Sequence, residues 1–259
     1  MGAGTSENHL PTLRVVGPGR AGLSLCRALT GAGWRVLPVL SRHDDVSDAA
    51  AGTDLLVLAT PDGAVADVAA AVGPVESTVV AHLAGALGLD TLAPHARRAS
   101  IHPLVALPDA DLGARRLVGA WFAVAGDALA ARVVADLGGT VVAVADDRRA
   151  AYHAAACIAS NHLVALLGSV ERVAAEAGVP LSAYLDLVRA TVENVAALGP
   201  AAALTGPAAR GDWATIDRHR AALPAAERPA YDVLLTAALA LVPHVEHDKA
   251  EQVEPVAVA

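Results

Sequence analysis

The stretch AAYHAAACIASNHLVALL, residues 150–167, is typical of an apolar helix, yet it carries several hydrogen-bonding side chains. At about 3.6 residues per turn, His153, Cys157 and Ser160 fall on one stripe, with Asn161 beside Ser160. Burying such a group unpaired costs about 1–3 kcal/mol, so the stripe must meet either neighbouring loops or a ligand. Because histidine exchanges a proton near neutral pH, His153 is a candidate catalytic acid, with Ser160 and Asn161 as candidate hydrogen-bond donors.

A second candidate acid is His102, in the sequence IHPL, where it follows a predicted strand and precedes Pro103, which stiffens its position. A purely structural histidine is the alternative for this position. His162 points away from the stripe of the long helix, and we expect it to be structural. The only lysine is Lys249, in the C-terminal tail, so a lysine acid in this helix is excluded.

The loop LTGPAARGDW, residues 204–213, holds a second constellation. Thr205 and Gly206 belong to a predicted turn, and Asp212 can cap the helix that follows. The guanidinium of Arg210 suits a carboxylate, which makes Thr205, Gly206 and Arg210 candidate substrate-binding residues. On local grounds, a surface salt bridge explains Arg210 equally well.

A glycine-rich turn lies between a predicted strand and a predicted helix, which is the context that a dinucleotide-binding GxGxxG motif requires. Gly17 permits the tight turn, Gly19 lets a pyrophosphate approach the backbone, and Gly22 lets helix and strand pack closely. The free N–H groups of the helix N-terminus suit the phosphates. The candidate cofactor-binding residues here are Gly17, Pro18, Gly19, Arg20, Ala21 and Gly22.

The end of the second predicted strand bears on the choice of cofactor. Folds that prefer NAD place an acidic residue there, whereas this chain has Ser41 and Arg42, and an arginine can pair with a 2′-phosphate. We therefore predict NADP(H). Asp44 and Asp45 follow closely and can serve a ribose instead, which leaves NAD as the alternative.

The third predicted strand ends in the sequence ATPD. Thr60 and Pro61 lie at the carboxyl edge of the sheet, where dinucleotides cross, and we count them with Asp62 as cofactor-binding candidates. Asp62 has an equally good structural explanation as the cap of the next helix.

Composition restricts the class of protein. The net charge is −8 and no basic stripe is present, so we expect no nucleic-acid partner. The N-terminus lacks the pattern of a signal peptide, and no run of about 20 residues is free of glycine, proline and charge, so we expect a cytoplasmic protein with no membrane partner. Cys26 and Cys157 lack the spacing of a disulfide framework or a zinc site, and we predict no metal.

The order of the predicted elements indicates an α/β fold, with an N-terminal Rossmann doubly wound parallel sheet and an all-helical C-terminal domain. Seven short apolar runs predict strands at 13–17, 35–40, 54–60, 77–82, 99–102, 121–126 and 140–145. After Asp146 the period is helical. The predicted divisions are a flexible N-terminus (1–12), a Rossmann domain (13–146), a helical substrate and dimerisation domain (147–245) and a loosely ordered tail (246–259).

The phrases GPGRAG, ATPD, HLAGALG, IHPL, AAYHAAACIASNHLVALL and LTGPAARGDWATIDRH together resemble the Rossmann-like oxidoreductases that carry a C-terminal helical domain of unknown function. More distantly, the chain is similar to the superfamily of ketopantoate reductase, pyrroline-5-carboxylate reductase and 6-phosphogluconate dehydrogenase. In those enzymes the first long helix after the Rossmann domain runs beneath the nicotinamide. One departure is Ala84, where the resemblance leads us to expect a serine.

The resemblance implies reduction of a small carbonyl or imine substrate by NADP(H), with a homodimer formed through the helical domain. Our leading interpretation is a reductase of a small 2-oxo acid, with ketopantoate as one candidate. An imine reductase of the pyrroline-5-carboxylate reductase type is the near alternative. A non-catalytic NADP-responsive binding protein is a third interpretation, and the lack of a lysine acid slightly favours it.

Overall fold

The computed structural model describes residues 10–242, so Lys249 and the predicted tail at 246–259 lie outside the described residues, as do residues 1–9. Seven strands form one sheet in the order β2-β1-β3-β4-β5-β6-β7. Their bounds are β1 Thr12–Val16, β2 Arg35–Val36, β3 Leu55–Leu58, β4 Val79–His82, β5 Arg98–Pro103, β6 Trp121–Gly126 and β7 Thr140–Ala143. Strands are present at all seven predicted positions, although β2 is shorter than the predicted run 35–40, and the chain has the predicted α/β fold.

Four helices accompany the sheet, namely α1 Arg20–Gly31, α2 Val65–Ala71, α3 Ala110–Leu117 and α4 Leu129–Asp136. Strands β3 and β4 are buried on both faces because successive side chains alternate between two apolar clusters. Leu55 and Val57 of β3 belong to the cluster that includes Leu25 of α1. Leu56 and Leu58 belong to the other cluster, which contains Val65 and Ala69 of α2.

Two details of the sheet differ from the sequence prediction. Strand β6 runs antiparallel to β5, whereas the other strand pairs are parallel. The fully parallel sheet was therefore wrong at this pair. Thr12 lies in β1 rather than in a flexible N-terminus, since its backbone N–H and its hydroxyl both donate to Asp54 over 2.8 Å.

The remaining helices are α5 Arg149–Cys157, α6 Leu163–Glu176, α7 Ser182–Leu198, α8 Pro200–Ala203, α9 Gly206–Arg210, α10 Trp213–Ala222 and α11 Arg228–Leu239. Residues Ile158–His162 form a π-helical turn. By compactness the chain divides into residues 1–161 and 162–259, later than the predicted boundary at 146/147. The reason is that side chains of α5 contact the sheet, as described below.

The second unit has a large apolar surface. Helix α7 is 17 residues long and none of them is buried, although Leu187, Val192, Val195 and Leu198 are apolar. A groove of about 750 Å³ in the same unit is lined mainly by apolar side chains of α6, α10 and α11. At its edge, Glu227 accepts hydrogen bonds from Ser169 and Arg172.

Candidate active site

The turn after β1 provides a cradle for a dinucleotide. Gly17 has φ +111°, and a Cβ there would lie 2.5 Å from the carbonyl oxygen of Ala59. A Cβ on Gly22 would lie 2.3 Å from the carbonyl oxygen of Gly17, whereas a Cβ on Gly19 would meet no atom within 4 Å. The protein itself therefore requires Gly17 and Gly22, and the open space at Gly19 is where a ligand can approach the backbone.

Helix α1 begins at Arg20, directly after this turn, with Gly19 as its N-cap. Within residues 10–242, no side chain caps this end of the helix. The N–H groups of the first turn therefore point toward the open space, as anion binding at a helix N-terminus requires. Pro18, Gly19 and Arg20 are exposed, and Ala21 is half-buried.

Ser41 and Arg42 follow Leu40, whose carbonyl accepts a hydrogen bond from Gly17 N over 2.8 Å. The carboxylate of Asp44 accepts from Ser41 N and from Ser41 Oγ, at 2.7 and 2.8 Å. The backbone hydrogen bond from Ser41 is the main cause that lowers the pKa of Asp44. The Asp44 carboxylate is thus engaged locally, while the guanidinium of Arg42 is exposed beside the turn.

Asp45 is held in the same way, because its carboxylate accepts from Ser47 N over 2.8 Å and this bond lowers its pKa. After β3, Thr60 Oγ1 is buried and finds no hydrogen-bond partner among residues 10–242. Asp62 is exposed at the start of a short 3₁₀ helix, Asp62–Ala64, whose N-cap is Pro61. The helix α2 has Ala64 as its N-cap, so the capping role considered for Asp62 was wrong.

A cluster of aromatic polar side chains lies at the carboxyl ends of β4 and β5. His102 lies one residue before the end of β5, and Tyr152 and His153 belong to α5. Tyr152 Oη lies 2.7 Å from His102 Nδ1, and the rings of His102 and His153 meet edge to face with centroids 5.7 Å apart. A Cβ on Gly85 would lie 2.6 Å from His153 Cδ2 and 2.9 Å from His102 Nε2, so only glycine lets both rings approach this loop.

The pKa of His102 is lowered to about 4, mainly by burial and to a smaller extent by the nearby His153 and Arg149. Burial also raises the pKa of Tyr152 above its usual value of 10.0. At neutral pH His102 is therefore uncharged and Tyr152 is protonated. A phenol is a better donor than acceptor, so Tyr152 donates to Nδ1, and His102 carries its proton on Nε2, beside Gly85.

The stripe predicted for the long helix comprised His153, Cys157 and Ser160. Of these, Cys157 and His153 are in contact, with Cys157 Sγ 3.9 Å from His153 Nε2. Ser160 and Asn161 are exposed and lie in the π-helical turn, where the α-helical spacing used for the stripe no longer holds. Ser160 Oγ lies 2.7 Å from the carbonyl oxygen of Ala156 and 2.8 Å from Asn161 Oδ1. His162, which closes this turn, is also exposed.

The predicted substrate loop belongs to the second unit. Gly206 has φ +87° and begins α9, Thr205 is the N-cap of α9, and Arg210 is exposed at its C-terminal end. The predicted cap is confirmed, because Asp212 precedes α10 and its carboxylate accepts from Thr215 N over 3.1 Å.

Sequence reasoning missed four residues of the cluster at β4 and β5, namely His82, Gly85, Arg149 and Tyr152. Tyr152 precedes His153 in the sequence AAYHAAACIASNHLVALL, so its position next to a candidate catalytic residue could have identified it. Arg149 carries no such signal, because an arginine at the start of a helix usually faces solvent, whereas this one is completely buried.

Comparison with known proteins agrees with this architecture. The family described as a Rossmann-like domain matches residues 35–108, and the domain of unknown function DUF2520 matches residues 121–238. No curated protein matches this chain in sequence.

Several solved structures share the fold of this chain. A Bacteroides fragilis protein described as an NADP oxidoreductase is 18% identical, with a TM-score of 0.76 over 89% of this chain and 98% of that one. A reductive aminase from Aspergillus terreus, in complex with NADPH and ethyl-5-oxohexanoate, is 18% identical, with a TM-score of 0.65 over 90% and 94%. Pyrroline carboxylate reductase from Plasmodium falciparum, with NADP bound, is 11% identical, with a TM-score of 0.58 over 89% and 98%.

Proposed function

We propose that the protein is an NADPH-dependent reductase of a small 2-oxo acid, with ketopantoate among the candidate substrates. The observation that carries this proposal is the position of the His102, Tyr152 and His153 cluster. It lies at the carboxyl edge of the same sheet whose β1 turn forms the dinucleotide cradle. In open α/β sheets ligands bind outside this edge, at the switch point, so the cofactor and a set of proton-transfer groups share one edge.

The residues present fit NADPH. The backbone around Gly19 and the first turn of α1 suit the pyrophosphate, and Arg42 suits the 2′-phosphate because Asp44 and Asp45 are engaged elsewhere. When bound, NADPH supplies the hydride. Related folds are described with NADPH or NADP bound, which supports the same choice for this chain.

The two histidines of the cluster, His102 and His153, have different roles in proton transfer. His102 is uncharged near neutral pH, and a neutral imidazole N–H donates a hydrogen bond without giving up its proton. We therefore assign His102 Nε2–H to polarising the substrate oxygen, with Tyr152 holding the ring in the required tautomer. His153 is the remaining histidine of the cluster, and we assign to it the proton that neutralises the developing alkoxide.

An imine reductase is the second candidate, because the reductive aminase and the pyrroline carboxylate reductase share this fold. A protonated imine arrives with its proton, so it depends less on His153 than a ketone does. The test is to follow the loss of NADPH absorbance with purified protein, first with a panel of 2-oxo acids that includes ketopantoate and then with cyclic imines. Turnover of oxo acids supports the leading proposal, turnover of imines alone supports the second, and tight NADPH binding without turnover supports a binding protein.

The second unit supports a homodimer. A 17-residue helix with no buried residue, α7, and an apolar groove in the same unit expose more apolar surface than a lone soluble domain usually carries. We infer that a second copy covers them. Sedimentation equilibrium at micromolar concentration tests this, and a monomer would contradict it.

One helical run, Asp146–Glu176, is long and apolar enough to cross a membrane by length and composition, and none of its most apolar window is buried. Its polar residues Tyr152 and His153 lie against the sheet, which argues for a soluble enzyme rather than for a membrane span. We retain a cytoplasmic location as part of the proposal. Cell fractionation tests it, and recovery in the membrane fraction would contradict it.

A further inference from the structure

The guanidinium of Arg149 is buried in the first unit and only partly paired. Its side chain has no exposed surface, and its Nε lies 2.9 Å from Asp146 Oδ1. Nη1 and Nη2 are buried and have no hydrogen-bond partner among residues 10–242. Leaving two charged donors unpaired in the interior is costly, so a group of this kind points to a ligand that accepts from both.

A third donor lies on β5, two residues before His102, so its side chain points to the same face of the strand as His102. Ser100 of β5 is fully buried, and its hydroxyl finds no partner among residues 10–242. It is the register partner of His82 on β4, which is also fully buried. His82 Nε2 lies 3.4 Å from the carbonyl oxygen of Gly88, so the ring donates there and its Nδ1 is an acceptor. The donors available to an anion are therefore Arg149 and Ser100.

The neighbouring charged groups leave Nη1 and Nη2 of Arg149 free to bind an anion. Of the guanidinium nitrogens of Arg149, only Nε donates to Asp146, and the second carboxylate oxygen of Asp146 accepts from Leu89 N over 3.3 Å. His82 carries no competing positive charge at neutral pH, because burial is the main cause that lowers its pKa and the charge of Arg149 also lowers it. Two parallel N–H donors in one plane match the two oxygens of a carboxylate.

We propose that Arg149 and Ser100 bind the carboxylate of the substrate and so make the protein selective for 2-oxo acids over uncharged carbonyl compounds. This inference rests on the proposed reductase function and names the residues that select its substrate. A 2-oxo acid carries its carbonyl one bond from the carboxylate, and Arg149 precedes Tyr152 and His153 by three and four residues on α5, so the three side chains share one face of that helix. The reacting carbonyl is thereby directed to the cluster of His102, Tyr152 and His153. Arg149 takes the carboxylate-binding role that the sequence suggested for Arg210.

The test uses binding, so it does not depend on turnover. Oxamate is a non-reducible isostere of a 2-oxo acid, and oxamide is its uncharged counterpart. Isothermal titration of the full-length protein with NADP⁺ present is expected to show oxamate binding at least about 10-fold tighter than oxamide. Arg149→Gln should weaken oxamate binding by roughly 10- to 100-fold, and Ser100→Ala by less, without changing the affinity for oxamide.

Arg148→Gln is the matched control, because Arg148 precedes Arg149, is largely exposed and pairs with Asp147 over 3.3 Å. It should leave oxamate binding unchanged. Equal affinity of the wild-type protein for oxamate and oxamide, or binding of neither, overturns the proposal without any variant having to fold. Loss of oxamate binding in Arg210→Gln but not in a folded Arg149→Gln also overturns it.

The same samples separate this inference from the proposed function. If the protein reduces 2-oxo acids with NADPH but shows no preference for oxamate, the proposed function stands and the carboxylate site is wrong. If oxamate binds through Arg149 but no substrate is reduced, the site stands and the proposed function is wrong.

Discussion

The three glycines of the turn after β1 have different surroundings, and these predict different responses to alanine. At Gly17, alanine meets both an unfavourable φ of +111° and a carbonyl oxygen at 2.5 Å. Backbone strain and overpacking each cost about 1–3 kcal/mol, so Gly17→Ala should lose roughly 2–6 kcal/mol and about 5–20 °C in Tm. At Gly22 only the contact at 2.3 Å applies, and we expect a loss of about 1–3 kcal/mol.

Gly19→Ala should behave in the opposite way. The backbone there, φ −77° and ψ 178°, is allowed for alanine, and its Cβ would meet no protein atom within 4 Å. Tm should stay the same or rise slightly, whereas NADPH affinity should fall by roughly 10- to 100-fold, since the methyl group blocks the approach of the pyrophosphate.

Differential scanning fluorimetry and a fluorescence titration with NADPH measure both quantities on the same samples. Gly33 is the control for strain alone, because it has φ +88° with no atom within 4 Å of a built Cβ. Gly33→Ala should lower Tm by a few degrees and leave NADPH affinity unchanged. Wild-type affinity in Gly19→Ala would refute the cofactor assignment, and wild-type stability in Gly17→Ala would refute the steric argument.

Three further predictions concern the cofactor and the histidine cluster. Arg42→Ala should weaken NADPH binding by about 10- to 100-fold and leave NADH nearly unaffected, and equal changes in the two dissociation constants would contradict the 2′-phosphate assignment. His153→Ala should lower kcat by about 100- to 10,000-fold at unchanged NADPH affinity, and full activity in the folded variant would show that His153 is structural. The pKa of His102 falls from 6.5 to about 4 on folding, so the unfolded chain binds the proton more readily and stability should decline as the pH drops from about 6.5 to 4. The dependence of Tm on pH should be weaker in His102→Asn than in the wild type, and identical profiles would contradict the assigned shift.

Local sequence patterns predicted most of the architecture. Seven apolar runs became strands because β-branched and aliphatic residues in short stretches, broken by polar residues or glycine, suit a sheet that is buried on both faces. The second run is the instructive exception: it was predicted at 35–40, but β2 spans only Arg35–Val36, followed by an isolated bridge at Leu40. Leu37 N still donates to Leu13 O, but the next donor is Leu40 N, to Val15 O, so the two-residue spacing of the ladder is interrupted after Leu37.

The glycine motif and the Ser41–Arg42 pair could also be predicted from the sequence, because each depends on residues close together in the chain. The direction of β6 depends on how a distant segment packs, and no local pattern records it. The π-helical turn at Ile158–His162 likewise removed Ser160 and Asn161 from a stripe that had been drawn with α-helical spacing.

The cluster itself was decided by tertiary structure. His102 and Tyr152 are 50 residues apart, and they meet only because α5 packs against the carboxyl end of β5. The same packing buries Arg149. It also partly buries His102, and this burial is the main cause of the low pKa that keeps His102 uncharged at neutral pH. Sequence shows which side chains can exchange protons or bind anions, but their charge states depend on burial and neighbours, which the chain acquires only on folding.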